Sequence, residues 1–189
     1  MKFLQNNKET HSSASIDRFL VLTELSLSAR RLLEQAWTCE TAFQNITILA
    51  DDAPSRGQCG VSSLWLSRLL VDRGFDAVFT EGKISIPNDM SDEHVWVEVC
   101  DEEQKPLVVD LTSDQYKTVW GSPVHIGEYE NGRTITGGYT PERRFHPYDV
   151  PRKKLLGRLA LLEESITELK TRRNYLCLIT LSSIASTPY

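Results

Sequence analysis

Apolar residues change their spacing along this chain, and each change predicts a different kind of element. From Ile16 to Phe43 the positions Leu20, Leu22, Leu25, Leu27, Leu32, Leu33, Ala36 and Trp37 suit one or two helices. The segment "DDAPSRG" at 51–57 is loop chemistry, punctuated by Pro54 and Gly57. Val61 to Val71 is then an apolar run of helical length, with Gly74 as its stop. That run is apolar around most of its circumference, so it belongs in the centre of a core.

The period then shortens to two. "FDAVFTEGKISI" (75–86) reads as a strand or hairpin, "HVWVEVC" (94–100) alternates, and "LVVDLT" (107–112) is a further strand. The charged "DEEQKP" joins the last two as a hairpin connection. In the alternating segment Val95, Val97 and Val99 share one face, opposite His94, Trp96, Glu98 and Cys100. After Gln115 glycines and prolines dominate, and the chain reads as loop. Helical spacing returns over 151–176, where Leu155, Leu156, Leu159, Leu162, Ile166 and Leu169 line one side.

These elements predict an α+β fold: an apolar helix packed on an antiparallel sheet of three or more strands, with a C-terminal amphipathic helix. Residues 1–15 read as a mobile tail and 16–150 as one domain. Residues 151–189 form a helix and tail packed on that same domain. A chain of 189 residues can bury a substantial core.

Charge narrows the partners. A net charge of −5 gives no reason to expect nucleic-acid binding. No run approaches the roughly 20 apolar residues of a membrane span, and the N-terminus lacks the apolar stretch of a signal peptide. The four cysteines show no close pairing, so neither a zinc ribbon nor a CxxC redox site is visible. Free thiols in the cytoplasm are the expectation, with no cofactor. Oligomeric state leaves no signature in the sequence.

One cysteine is placed differently from the rest. Cys59, in "RGQCGVSSLW", stands where the central helix begins, and a helix N-terminus favours a thiolate. His94 opens one strand and Asp110 closes the next. Antiparallel strands can set the two side by side, facing the helix that carries Cys59. A thiol, an imidazole and an orienting carboxylate are the parts of a nucleophilic acyl-transfer site. Asp114 is a spare carboxylate. Gln58 is a candidate amide donor to an oxyanion, beside the Cys59 backbone N–H. His125 and His146 lie in the irregular region, whereas Cys39, Cys100 and Cys177 fall in apolar patterns expected to be core. No compact spacing makes Cys59, His94 and Asp110 a metal site.

The segment "GQCGVSSLWLSRLLVDRGFDAVFTEGKI" resembles the cysteine-helix of the transglutaminase-like superfamily. "HVWVEVCDEEQKPLVVDLTSDQY" resembles that superfamily's His–x–Trp–x–Glu strand, turn and strand ending in Asp–x–Thr. The likeness spans residues 57–116. "GQCG" with "DLTSDQY" is similar in particular to small bacterial YunG-like proteins. "GQCG" also resembles papain-like enzymes, but their nucleophile lies three residues later, where this chain has Ser62. The resemblance implies a transglutaminase-like/papain-like fold, with Cys59 as nucleophile, His94 as base and acid, and Asp110 as orienting carboxylate. Trp96, beside His94, joins Gln58 as an expected substrate-binding residue.

Hydrolysis or deamidation of an amide- or peptide-containing substrate is the expected reaction. Transfer to an amine, and a non-enzymatic binding module retaining the fold, are the alternatives. Residues 89–103 carry seven acids and no base, whereas 151–176 carry seven bases and three acids. The basic helix is therefore expected either to lie against the acidic strands and border the cleft or to form with them two independently solvated faces. An acidic region left open would extend the substrate class to cations.

Overall fold

The computed structural model describes residues 7–43, 53–86, 90–100, 105–116, 122–130, 133–134 and 138–184. Its helices are α1 (Asn7–Ala36), α2 (Cys59–Asp72) and α3 (Lys153–Ile184). Its strands are β1 (Ala77–Ile86), β2 (Met90–Cys100), β3 (Pro106–Asp110), β4 (His125–Glu130), β5 (Arg133–Thr134) and β6 (Tyr139–Phe145). A short 3-10 turn, Ser113–Tyr116, follows β3. The fold is α+β, as the change of period predicts. Among the described residues no helix is long and apolar enough to cross a membrane.

The strands form an antiparallel sheet in the order β5-β4-β3-β2-β1-β6. β5 and β6, at opposite ends of that order, still approach one another, so the sheet curls. Alternation sorts the side chains onto two faces. Ala77, Phe79, Val97, Val99, Leu107 and Val109 pack with the helices in the larger core. Ile84, Trp96, Val108, Tyr116 and Tyr139 form a second, smaller cluster on the other face.

α2 is central, as its apolar circumference requires. It packs on β1 and β2, with α1 and α3 also against it. Its buried serines each have a partner: Ser62 Oγ accepts from Trp37 Nε1 at 3.0 Å, and Ser63 Oγ donates to the Val95 carbonyl at 3.0 Å. Gly74 adopts φ 81°, so that its own N–H and that of Phe75 can close onto Val71 and Leu70. This is a Schellman-type stop, which only a residue without a side chain enters cheaply.

Three expectations need correction. The backbone of α1 begins at Asn7, so residues 7–15 are helical rather than tail; residues 1–6 lie outside the described residues. Within α1, Leu22, Ala29, Leu33 and Ala36 define the buried face, which leaves Leu20 and Leu27 exposed. The chain after Gln115 is not continuous loop but supplies β4, β5 and β6. Pro141 sits on an edge strand where the register with β1 shifts, a place where its missing N–H is tolerated.

The last helix turns Leu155, Leu159, Leu162 and Ile166 into the core, while Leu156 and Leu161 stay exposed. Leu155 comes so close to Gly60 that a β-carbon there would lie 3.3 Å from its Cδ1. The C-terminal helix is thereby fastened over the first turn of α2.

Candidate active site

The first turn of α2 follows from its N-terminal neighbours. Gly57, at φ 72°, turns the chain into the helix, and Gln58 is the N-cap residue. Its side chain makes no cap bond; it spans a neighbouring turn, with Nε2 donating to the Thr38 carbonyl and Oε1 accepting from Thr41 Oγ1, each at 2.9 Å. Cys59 is therefore the first helical residue, and its backbone N–H belongs to the set a helix leaves without internal acceptors.

His94 and Asp110 meet across the β2–β3 hairpin. Val97 pairs with Val109, which sets Asp110 diagonal to His94 on the same face. His94 Nε2 lies 2.8 Å from Asp110 Oδ2, and both side chains are completely buried. Asp110 is held at every corner. Its Oδ1 accepts from the Thr112 backbone N–H at 2.7 Å and Thr112 Oγ1 at 2.8 Å, and its Oδ2 also accepts from Tyr139 O–H at 2.7 Å.

Aromatic rings fix the imidazole from the sides. Tyr116 presents an edge at 5.1 Å, with Trp96 at 6.4 Å and Tyr139 at 6.3 Å. His94 and Asp110 thus lie among the smaller cluster, on the face away from the body of α2. The expectation that they face the helix is corrected: alternation puts them with Trp96 and Val108, and Cys59, the first residue of α2, interacts with the imidazole.

The electrostatics follow from these partners. Burial opposes a charged imidazole, but the Asp110 carboxylate and its hydrogen bond outweigh it, and Cys59 adds to the effect; the His94 pKa rises to about 10. Burial likewise opposes the Asp110 charge, yet His94, Tyr139 and Thr112 hold its carboxyl below the usual carboxylate range. Nε2 is committed to Asp110, while the buried Nδ1 has no conventional hydrogen-bond partner. Nδ1 is therefore the nitrogen left to exchange a proton with Cys59. Burial raises the Tyr116 pKa, and Asp92 and then Cys59 reinforce the shift.

Cys59 and His94 open onto a cleft of about 740 Å³. Gly60, Phe79 and Leu155 provide apolar wall, and Thr41 and Phe43 close one side. Glu81, buried in that wall, pairs with Arg143 at 2.9 Å and Arg152 at 2.6 Å. The N-terminal end of α3 borders the cleft.

The structure brings Cys59, His94 and Asp110 together. Gln58 and Trp96 do not line the cleft: both are fully buried, Gln58 in the Thr38–Thr41 turn and Trp96 behind the imidazole. Asp114 is occupied by Arg30 and Ser55. His125 is buried and stacked on Tyr139, whereas His146 is exposed. Cys39 is exposed and Cys100 half-buried, not core as their patterns implied; the Cys177 side chain lies outside the described residues. Among the described residues, no group of three or more His, Cys, Asp and Glu side chains is arranged to hold a metal ion.

Sequence reasoning missed Thr112 and Tyr139. The signal for Thr112 was present, because a Thr two residues after an Asp is a familiar local acceptor–donor pair. Tyr139 gave none, since it comes from a strand that the sequence disguised as loop. No family model, curated protein or solved structure matches this chain.

Proposed function

We propose that this protein is a cysteine-nucleophile acyl-transfer enzyme of transglutaminase-like type. It cleaves an amide through a thioester, and water is the acceptor. The observation that carries the reading is the buried His94–Asp110 pair, with Cys59 beside the imidazole and a large cleft in front of it.

In this mechanism the proton of Cys59 already resides on His94 Nδ1 when the sulfur attacks the carbonyl carbon. Asp110, tied to Nε2, holds the ring and stabilises the imidazolium. The negative charge on the carbonyl oxygen develops near the α2 N-terminus, where the Cys59 N–H is free of an intrahelical acceptor. The side-chain amide of Gln58 is already engaged in the turn, so its part is to hold that N-terminus in position. Collapse of the intermediate breaks the C–N bond as the imidazolium protonates the leaving nitrogen. Water then adds to the thioester while imidazole takes its proton, the C–S bond breaks, and the thiolate and imidazolium are restored. An amine in place of that water gives the transferase alternative. The closeness of Cys59 to His94 favours an enzyme over a binding module that merely retains the fold.

A thiol-directed acyl probe tests the reading, with adducts mapped by mass spectrometry. Cys59 is expected to react selectively over the exposed Cys39, and Cys59→Ala is expected to abolish both labelling and turnover with little change in thermal midpoint. Uniform slow labelling of all cysteines, or wild-type turnover by Cys59→Ala, would remove the proposal.

A further inference from the structure

The cleft wall carries an excess of positive charge, on a chain whose total charge is negative. Five basic residues line it, Arg143, Arg152, Lys153, Lys154 and Arg158, against three acidic ones, while the whole chain stands at −5. The acids are largely spent on neighbours. Glu81 is buried between Arg143 and Arg152, and Glu142 pairs with Lys83 outside the cleft at 3.2 Å.

The three described acids of the segment that pointed to a cationic substrate, Asp92, Glu93 and Glu98, are dispersed by the pleat. Glu98 turns to Arg144 at 2.6 Å, Asp92 accepts from Tyr116, and only Glu93 of that segment faces the cleft among the described residues. Lys153 and Lys154 are exposed and make no ion pair among the described residues, and Arg158 lies over the Phe43 ring at 5.4 Å.

The position of the two lysines carries the argument further. They occupy the first turn of α3, which contains no acidic residue. A helix N-terminus is the positive end of the macrodipole, where lysine is disfavoured and Asp or Glu preferred. Helix stability does not account for cations there; a cleft that gathers negative charge does. The basic side chains and the N-terminal end of α3 carry the same sign, and both border the cleft that Cys59 lines.

We infer that the cleft selects an acyl donor bearing negative charge: an amide in an acidic peptide, with its carboxylates against Lys153, Lys154 and Arg158 and its carbonyl at Cys59. This reverses the charge expected of the substrate from the sequence, and it rests on the acyl-transfer reading of Cys59.

The test uses alkylation of the full-length protein, which requires no substrate. The rate at which anionic iodoacetate modifies Cys59 is compared with that of neutral iodoacetamide, at low and high salt. Wild-type protein is set beside Lys153→Gln/Lys154→Gln and, separately, Arg158→Gln. The His94 charge is common to all three proteins, so the change between them reports the rim alone. The ratio is expected to fall roughly tenfold from wild type to the double variant at low salt, and the difference to vanish at high salt. Blocked tri-glutamate peptide should also protect Cys59 from iodoacetamide better than blocked tri-lysine.

A ratio unchanged in both variants, or better protection by tri-lysine, would overturn the acidic donor while leaving a reactive Cys59 in place. Labelling of Cys59 no faster than of Cys39 by either reagent would overturn the acyl-transfer reading and this inference with it.

Discussion

Asp110 and Asp114 stand four residues apart, one at the end of β3 and the other in the 3-10 turn beyond it, and both are buried. Asp114 receives both Nη atoms of Arg30, at 2.7 and 2.8 Å, together with the Ser55 hydroxyl. Arg30 is itself buried and also donates to the Leu111 carbonyl, so α1 is bolted to the corner that follows β3. Asp110 instead meets an imidazole. A guanidinium keeps its charge throughout the working pH range, whereas an imidazole can give its proton up. Carboxylates of similar depth thus serve different ends: one pair fixes the corner, and the other moves a proton in the proposed reaction.

Exchange of each carboxylate for its amide separates these roles most sharply. Asp110→Asn should leave a folded protein with a poorly oriented imidazole. Its turnover should fall by up to about four orders of magnitude, the scale for a serine-enzyme triad, and by less if the thiolate is already formed. Asp114→Asn should retain the reaction wherever it folds. A silent Asp110→Asn beside an inactive but folded Asp114→Asn would reverse the assignment.

Stability responds in the opposite sense. Asp114→Ala strands a buried guanidinium, and breaking a buried pair from one side costs about 3–5 kcal/mol. Denaturant titration should show this loss, with the thermal midpoint down by about 2–4 °C for each kcal/mol. A loss under about 1 kcal/mol would mean that Glu34 and the carbonyls around Arg30 suffice without it.

The two pairs should also part company with pH. The His94 pKa is raised from 6.5 in the unfolded chain to about 10. Its contribution to stability is fully present below pH 6.5 and is lost as pH rises toward 10. Across that window Arg30 keeps its charge: burial opposes it, but Asp114 and Glu34 hold its pKa above the usual value. The thermal midpoint of wild type should therefore fall more steeply between these limits than that of His94→Gln, while a folded Asp114 variant keeps the wild-type slope. Parallel curves for wild type and His94→Gln would show that the His94–Asp110 pair is not ionised in the native state.

Tyr139→Phe is the smallest change. It removes one of the four hydrogen bonds on Asp110 and leaves Arg30–Asp114 untouched. A bond to a charged group contributes about 1.5–3 kcal/mol, so turnover and stability should fall modestly together, with a higher Asp110 pKa by NMR. An unaltered carboxyl titration would show that Thr112 and His94 alone set it.

Much of this comparison was legible in the sequence. Period-two alternation placed His94 with Trp96, and Asp110 closes a strand that can pair only antiparallel with the one before it. Which side of the sheet would receive the pair was not legible, because alternation assigns relative faces and not which of them a helix covers. Arg30 lay hidden in a helical pattern where a basic residue ordinarily reads as solvated. The partners of Asp110 divide in the same way: Thr112 is local, but Tyr139 arrives from β6 only because the sheet curls. Strand β6 itself was obscured by Pro141, which an edge strand tolerates and a central one does not.

The separation along the chain of the parts that meet at Cys59 also orders them in time. His94 and Asp110 are joined by a short hairpin, a closure of 16 residues that costs little entropy. The Arg30 clamp on Asp114 spans 84 residues, and the basic wall waits for α3. On a ribosome, where the N-terminal part emerges first, the proton-handling pair can close while the chain beyond Tyr116 is still being made. Leu155 then comes down on Gly60 and completes the recess in front of the sulfur. Until that last helix is in place, the chain holds Cys59 without the basic wall that stands in front of it.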